Sequence, residues 1–398
     1  MTALLPTAGR STAPTVVLAG ALAQRPGIGG HAWVFRHWLA GLAALGCDVV
    51  FVDRLEPAML DDPAAPPESS PQWAWLERVM AGAGMEGRFA VLVDGGRRSL
   101  GLDRAALVER CRRAAVLFNV MGYLDDAELL GAAGRRVFVD IDPGFPQFWS
   151  ALGLHDAFAG HDAFVTVGAN VGRPGCAIPA CGLDWIPTLP PVDLAAWPAG
   201  PPLAGPAAAR LTSVATWRGP FGPITHDGTT YGLRVHEFRP YADLPARLPG
   251  VHFELALDID PADAADTDRL RRGGWHLADP RGAAGDPDAY RAYVTGSAGE
   301  FVVAKQLYAA TASGWFSDRS AAYLAAGRPV VARETGPLGP LPTGEGLVTF
   351  RDPDGAAAAV AEVTGNASRH AKAARDLAVD CLDAPKVLGR LLDRLGVA

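Results

Sequence analysis

The chain is predicted to be α/β, with two Rossmann-like, doubly wound parallel-sheet domains facing a cleft. Short, near-continuously apolar segments alternate with helical patterns through both halves, as strands buried on both faces require. A proline- and alanine-rich break, "TLPPVDLAAWPAGPPLAGPAAAR" at 188–210, interrupts the alternation and marks a linker. At 398 residues and 49% hydrophobic content, there is enough chain for two cores. Open parallel sheets bind ligands beyond the carboxyl ends of their strands, so the active site is expected between the domains.

In the first half the strands are expected at 15–20, 47–53, 89–96, 115–122, 135–142, 163–168 and 183–189. Helices are expected between them at 31–45, 73–83, 103–114, 125–133 and 145–153. Beyond the linker the alternation resumes, with strands at 210–217, 252–259, 274–279, 300–305, 329–333 and 346–350. Two helices, 354–378 and 384–396, close the chain. The domains implied are 1–195 and 205–380, with a terminal helix in 381–398 packing back on the first.

Composition excludes several functions. A net charge of −7 without a basic tract leaves no electrostatic footprint for nucleic acid. No apolar run is long enough to span a membrane, and "MTALLPTAGRSTAPT" lacks the pattern of a secretory signal, so a cytoplasmic protein is expected. The 5 cysteines are odd in number and are expected to be reduced. "CAIPAC" has no second pair or histidine set, and the D-x-D pairs at Asp140/Asp142 and Asp258/Asp260 sit where strand ends often carry acids, so no metal is expected. His236-Glu237 lacks the second histidine of a zincin, and neither a nucleophile elbow nor a Walker loop is present.

"GIGGHA", opening the helix at 31–45, formally satisfies the dinucleotide fingerprint, with Asp53 near the position of an acidic ribose ligand. In that fingerprint the first glycine turns directly off the strand, whereas "ALAQRP" intervenes here. A dinucleotide-dependent oxidoreductase therefore stands as an alternative. Glycines before a helix also admit any substrate close to free N–H groups.

The unit from Gly29 to Asp53, "GG-x7-WLAGLAALGCDVVFVD", resembles the first strand-loop-helix-strand of GT-B glycosyltransferases, especially the retaining group. "SGWFSDRSAAYLAAGRPVVA" resembles their donor-site element, "TGPLGPLPTGEGLVTF" the loop and strand after it, and "SGWFSDRS" with "LPTGEGL" a branch of bacterial glycosyltransferase-like proteins. The resemblance implies a GT-B fold, transfer of a sugar from a nucleotide-sugar donor to a small-molecule, glycan or lipid acceptor, and no cofactor beyond that co-substrate. Gly29 and Gly30 would then line the acceptor side, with His31 pointing into the cleft or capping its helix.

Departure of a nucleoside diphosphate builds negative charge, which fixed cations and N–H dipoles stabilise. Ser317, Arg319 and Ser320 at a helix start, Lys305 at a strand end, and Arg218 with Gly219 in "TWRGPFG" resemble the diphosphate set. Trp315, Thr335, Gly336 and Glu345 are the expected nucleotide or sugar contacts. Retaining members usually carry an E-x7-E pair; the corresponding places, near Ser313 or Gly314 and Ala322, hold no acid. Stereochemistry therefore stays open, as do a sugar-nucleotide epimerase and a catalytically silent homologue. In "FVDIDPGFPQFW", Asp142 and then Asp140 are candidate bases for the acceptor hydroxyl.

Overall fold

Strand β1 (Thr15–Ala19) is wholly buried and lies at the centre of the first sheet. Around it the chain lays down β2 (Asp48–Arg54), β3 (Phe89–Val93), β4 (Arg98–Gly101), β5 (Ala114–Val120), β6 (Arg136–Asp140), β7 (Ala163–Thr166) and β8 (Trp185–Pro187). The order is β4-β3-β2-β1-β5-β6-β7-β8, parallel except for β4. The computed structural model describes residues 13–397.

The second lobe contains β9 (Arg210–Thr216), β10 (Ile224–His226), β11 (Thr229–Tyr231), β12 (His252–Asp258), β13 (His276–Ala278), β14 (Gly299–Val302), β15 (Val330–Arg333) and β16 (Leu347–Phe350). Its parallel sheet runs β13-β12-β9-β14-β15-β16, while β10 and β11 form a separate hairpin. Both sheets reverse direction of winding beside their first strand, so each has a switch-point crevice at its carboxyl edge.

Three elements differ from the sequence reading. The segment expected as one strand at 89–96 stops at Val93, and Asp94 and Gly95, both at positive φ, turn the chain back into the antiparallel edge strand β4. Asp227 and Gly228, also at positive φ, make the two-residue hairpin of β10 and β11, the turn that Asp-Gly favours. The helix expected over 354–378 is two helices, Pro353–Gly365 and Ala367–Leu377, broken at Asn366 after a glycine, where helix propensity is low.

The lobes are joined twice. Val192 N–H donates to Leu382 O and Ala384 N–H to Val192 O, at 2.8 and 2.9 Å, so the linker and the returning C-terminal segment run side by side. The helix Ala384–Leu395 then lays Leu388, Leu391, Leu392 and Leu395 into the first lobe's core. Gly41, on the helix Gly29–Ala44, permits that approach, because a Cβ there would lie 2.7 Å from Ala384 Cβ and Leu388 Cδ1. Among the described residues, no helix is long and apolar enough to cross a membrane.

The start of Gly29–Ala44 abuts the second lobe. A Cβ on Gly29 would lie 2.1 Å from the Asp286 carbonyl oxygen, and Trp33 Nε1 donates to Pro287 O at 2.8 Å. Gly29→Ala must push backbone against backbone across the lobe contact. It is expected to cost about 1–3 kcal/mol, read as a lower urea midpoint.

Candidate functional site

The loop after β1 is shaped by Asp53, at the end of β2. Asp53 is buried; one carboxylate oxygen accepts from Leu22 and Ala23 N–H at 2.6 and 2.5 Å, the other from Gln24 Nε2 and Arg54 N–H at 2.8 and 2.7 Å. Burial pushes its pKa up to about 7 against those four donated bonds. With both oxygens spent on the loop, Asp53 has no place for a ribose, which overturns the dinucleotide reading.

Gly29 and Gly30 also take a different neighbour from the expected acceptor. Gly29 meets Asp286, and a Cβ on Gly30 would lie 3.1 Å from the Tyr290 ring, so these glycines serve lobe packing. His31 neither caps its helix, whose cap is Ile28, nor presents a free imidazole. Its Nε2 lies 2.9 Å from Ala21 O, and burial, then the charge of Arg25, lower its pKa to about 4. A neutral ring donating to that carbonyl braces the loop.

The loop after β6 separates the two candidate acids. Asp140 is fully buried and accepts from Gln147 Nε2 at 2.7 Å, Thr166 Oγ1 at 2.8 Å and Asp142 N–H at 3.0 Å. It is therefore corrected from candidate base to scaffold. Gln147 Oε1 in turn accepts from Gly144 N–H at 2.7 Å, tying the loop to the helix Phe145–Ala151.

Asp142 reaches across to the second lobe. Lys305 Nζ donates to its two oxygens at 2.9 and 2.8 Å, and the Tyr308 hydroxyl donates to the same carboxylate. Asp142 remains 37% exposed at its side chain, enough for a ligand to touch it. The ammonium lies 5.4 Å from the Phe145 ring centroid and 5.2 Å from that of Tyr308, which stacks on Trp315 at 4.4 Å. Tyr308 was not among the sequence candidates, because a tyrosine in "KQLYAA" carries no spacing signal.

Beneath this pair lies Glu300 on β14, with no solvent exposure. Arg319 Nε donates to one of its oxygens and Ser320 Oγ to the other, the latter at 2.5 Å, while Ser317 Oγ caps the helix Asp318–Ala325 by accepting from Arg319 N–H at 3.2 Å. Arg319 Nη2 is buried without a partner. Arg234, also buried, donates from Nη1 to Val303 O and leaves Nε unpaired. Burial lowers its pKa to about 9, and it feels Arg319, Glu300 and Asp142. The sequence reading missed Arg234, although an arginine opening a helix, as in "GLRVHEF", opposes the dipole just as Arg319 does.

Arg218 stands apart. Its guanidinium grips Asp263 at 2.7 and 2.6 Å, and its strongest electrostatic neighbours are Asp263, Asp266 and Asp260. Of the three expected cations, Lys305 pairs with Asp142 and Arg319 with Glu300, with Arg234 in electrostatic range of Arg319, while Arg218 and Gly219 line an interlobe cleft of about 660 Å³ with Gln24 and Arg25.

Thr335 and Gly336 build the loop around this edge. Thr335 Oγ1 donates to Trp315 O at 2.8 Å and its carbonyl accepts from Gly314 N–H at 2.7 Å; Thr335 and Trp315 line a smaller cavity with Ser317 and Ser320. Gly336, at φ +96, lies against Ala312 O and Asn170 Nδ2, which a Cβ would approach to 2.9 and 3.0 Å. Glu345 is corrected: it is exposed and 3.8 Å from Arg369, facing the helix Ala367–Leu377 instead of the cleft. At the places of the absent acid pair, Ser313 bonds Tyr308 O at 3.1 Å and Ala322 is core. No group of three or more metal-ligating side chains occurs among the described residues.

Two doubly wound sheets meet here along their carboxyl edges, with an acid of one opposite the cations of the other. This is the GT-B arrangement. No protein-family model and no curated protein matches the chain. Solved structures do. An alpha-glucosyltransferase in complex with UDP is similar at TM-score 0.60 and 10% identity, over 96% of this chain and 99% of that one. HepE of Anabaena, in complex with UDP and glucose, is similar at TM-score 0.54 and 11% identity, over 97% and 100%. AviGT4, a glycosyltransferase of avilamycin A biosynthesis, is similar at TM-score 0.53 and 14% identity, over 96% of each. The chain has their fold.

Two stability measurements check the site's charges. Burial raises Asp140 from 3.8 to about 7, so the folded protein binds that proton more tightly than the unfolded chain does. Its contribution is fully present below the unfolded value and is lost as pH rises through the folded one. Asp140→Asn is expected to flatten that part of the stability-pH curve. Glu300→Ala strands Arg319 in the interior and is expected to cost about 3–5 kcal/mol in chemical denaturation.

Proposed function

We propose that this protein is a glycosyltransferase that moves a sugar from a nucleotide-sugar donor to a small-molecule, glycan or lipid acceptor in the interlobe cleft. The observation that carries the reading is Asp142 of one lobe bonded to Lys305 of the other, with Arg234 in electrostatic range of both Asp142 and Arg319, within a GT-B fold. The cations and the start of the helix Asp318–Ala325 receive the departing diphosphate, whose charge grows as the glycosidic bond breaks. The unpaired Arg319 Nη2 and Arg234 Nε are donors in want of an anion. Asp142 takes the proton from the acceptor hydroxyl.

UDP is the first donor nucleotide to try, since HepE and the alpha-glucosyltransferase are both known with it. The reading needs no divalent ion: Lys305, Arg319 and Arg234 supply the positive charge that would screen the phosphates. We place the reaction in the cytoplasm, a reading supported by five free cysteines. One alpha-glucosyltransferase structure holds a DNA 13-mer, but a net charge of −7 here favours an uncharged or lipid acceptor over nucleic acid.

The test is a thermal shift with UDP, GDP, dTDP and NAD, followed by release of free nucleotide from the matching sugar donor. A nucleoside diphosphate at a hundred times its dissociation constant should stabilise by about 2.7 kcal/mol. Arg234→Ala and Arg319→Ala should each weaken its binding by about 1.5–3 kcal/mol. Asp142→Asn should lower turnover about 10²- to 10⁴-fold. Stabilisation by NAD alone would overturn the reading, and interconversion of the sugar nucleotide without release would make the protein an epimerase.

A further inference from the structure

The pair of Asp142 and Lys305 does more than place two candidate residues side by side. Among the described residues it is the only ion pair whose partners belong to different lobes. It is doubly bonded, at 2.9 and 2.8 Å. The close approach is permitted by Gly144, at φ +121, where a Cβ would lie 2.4 Å from Leu307 Cδ2 of the second lobe. Around the ammonium stand the rings of Phe145 from one lobe and Tyr308 from the other, at 5.4 and 5.2 Å. They let the ammonium shift without losing its aromatic surroundings.

We infer that this pair is a latch that the donor opens: Asp142 and the donor's diphosphate compete for the Lys305 ammonium, and the candidate base is released only when phosphate has taken its place. The inference rests on the nucleotide-sugar reading. A phosphate brought to hydrogen-bond distance of Lys305 also comes close to the Asp142 carboxylate, and two anions repel at that range. The side of Asp142 matters equally. A carboxylate whose oxygens already accept from an ammonium and a phenol has few lone pairs left for an acceptor hydroxyl. Transfer of Lys305 to phosphate leaves Asp142 with the Tyr308 hydroxyl alone, and frees an oxygen to receive the acceptor's O–H. Donor binding thus precedes activation of the acceptor, and a lone acceptor meets a carboxylate already occupied.

The latch makes an unusual demand: removing an acid from the candidate active site must improve binding of an anion. Titration calorimetry with UDP, and separately with inorganic pyrophosphate, tests it on the full chain. Asp142→Asn and, as a second variant, Asp142→Ala are expected to tighten UDP about fivefold, the scale of a partly exposed ion pair. Lys305→Met is expected to weaken it tenfold or more, and Asp142→Asn added to Lys305→Met should change nothing further. If Lys305→Met weakens UDP while both Asp142 variants leave it unchanged or weaker, the latch is wrong and the donor reading stands. An unchanged affinity in Lys305→Met removes Lys305 from the phosphate site and the latch with it. Binding of neither UDP nor pyrophosphate by any form, with unaltered melting curves, defeats both.

Discussion

A carboxylate with no access to water, Glu300, governs the carboxyl edge of the second sheet. Burying it is costly unless its charge is met, and it is met by Arg319 and Ser320 from the helix that follows. The same contact ties the start of that helix to β14, beside the cap that Ser317 makes with the Arg319 N–H. Arg319 is left with one nitrogen uncommitted, and Arg234, beside it, with another. A structural ion pair and two incompletely satisfied guanidinium groups therefore stand together, and the anion that stabilises the edge also fixes the position of its cation.

On the opposite wall the acids are arranged in depth. Asp140, inside, spends its lone pairs on Gln147, Thr166 and the Asp142 backbone; Asp142, outside, is thereby aimed across the seam. Asp53 does the equivalent work for the loop after β1. Two buried carboxylates thus act on backbone N–H groups, and the one acid they leave free to leave the first lobe is the one that meets Lys305. Glycines at 29, 30 and 144 allow the lobes to come close enough for that meeting.

Much of this was legible in the sequence, for physical reasons. Strands buried on both faces write themselves as continuous apolar runs, so every parallel strand of the two large sheets was visible, from "TVVLAG" to "GLVTF". The turn chemistry of Asp94-Gly95 and Asp227-Gly228 was equally present, but β4, β10 and β11 are short and half polar, and periodicity passes over them. Residue types at strand ends and helix starts picked out Lys305, Arg319 and Asp142. Their partners were not legible, because charge pairing is settled in three dimensions: Arg319 finds Glu300 19 residues away, and Lys305 finds Asp142 163 residues away. Glu345 failed for the same reason, its loop being turned outward by Gly346 packing on Ala374.

The absent E-x7-E acids fit this picture of the second lobe. An acid near Ser313 would stand where a hydroxyl now bonds Tyr308 O and receives Trp315 N–H, inside a loop locked to Asn170 of the first lobe. An acid at Ala322 would enter the packed apolar core of the second lobe, where Ala322 is 1% exposed. Neither site can accept a carboxylate without rebuilding its surroundings. What the seam offers instead is the Asp142 carboxylate, bonded by both Lys305 and Tyr308, so polar groups of the two lobes form a single shared cluster there.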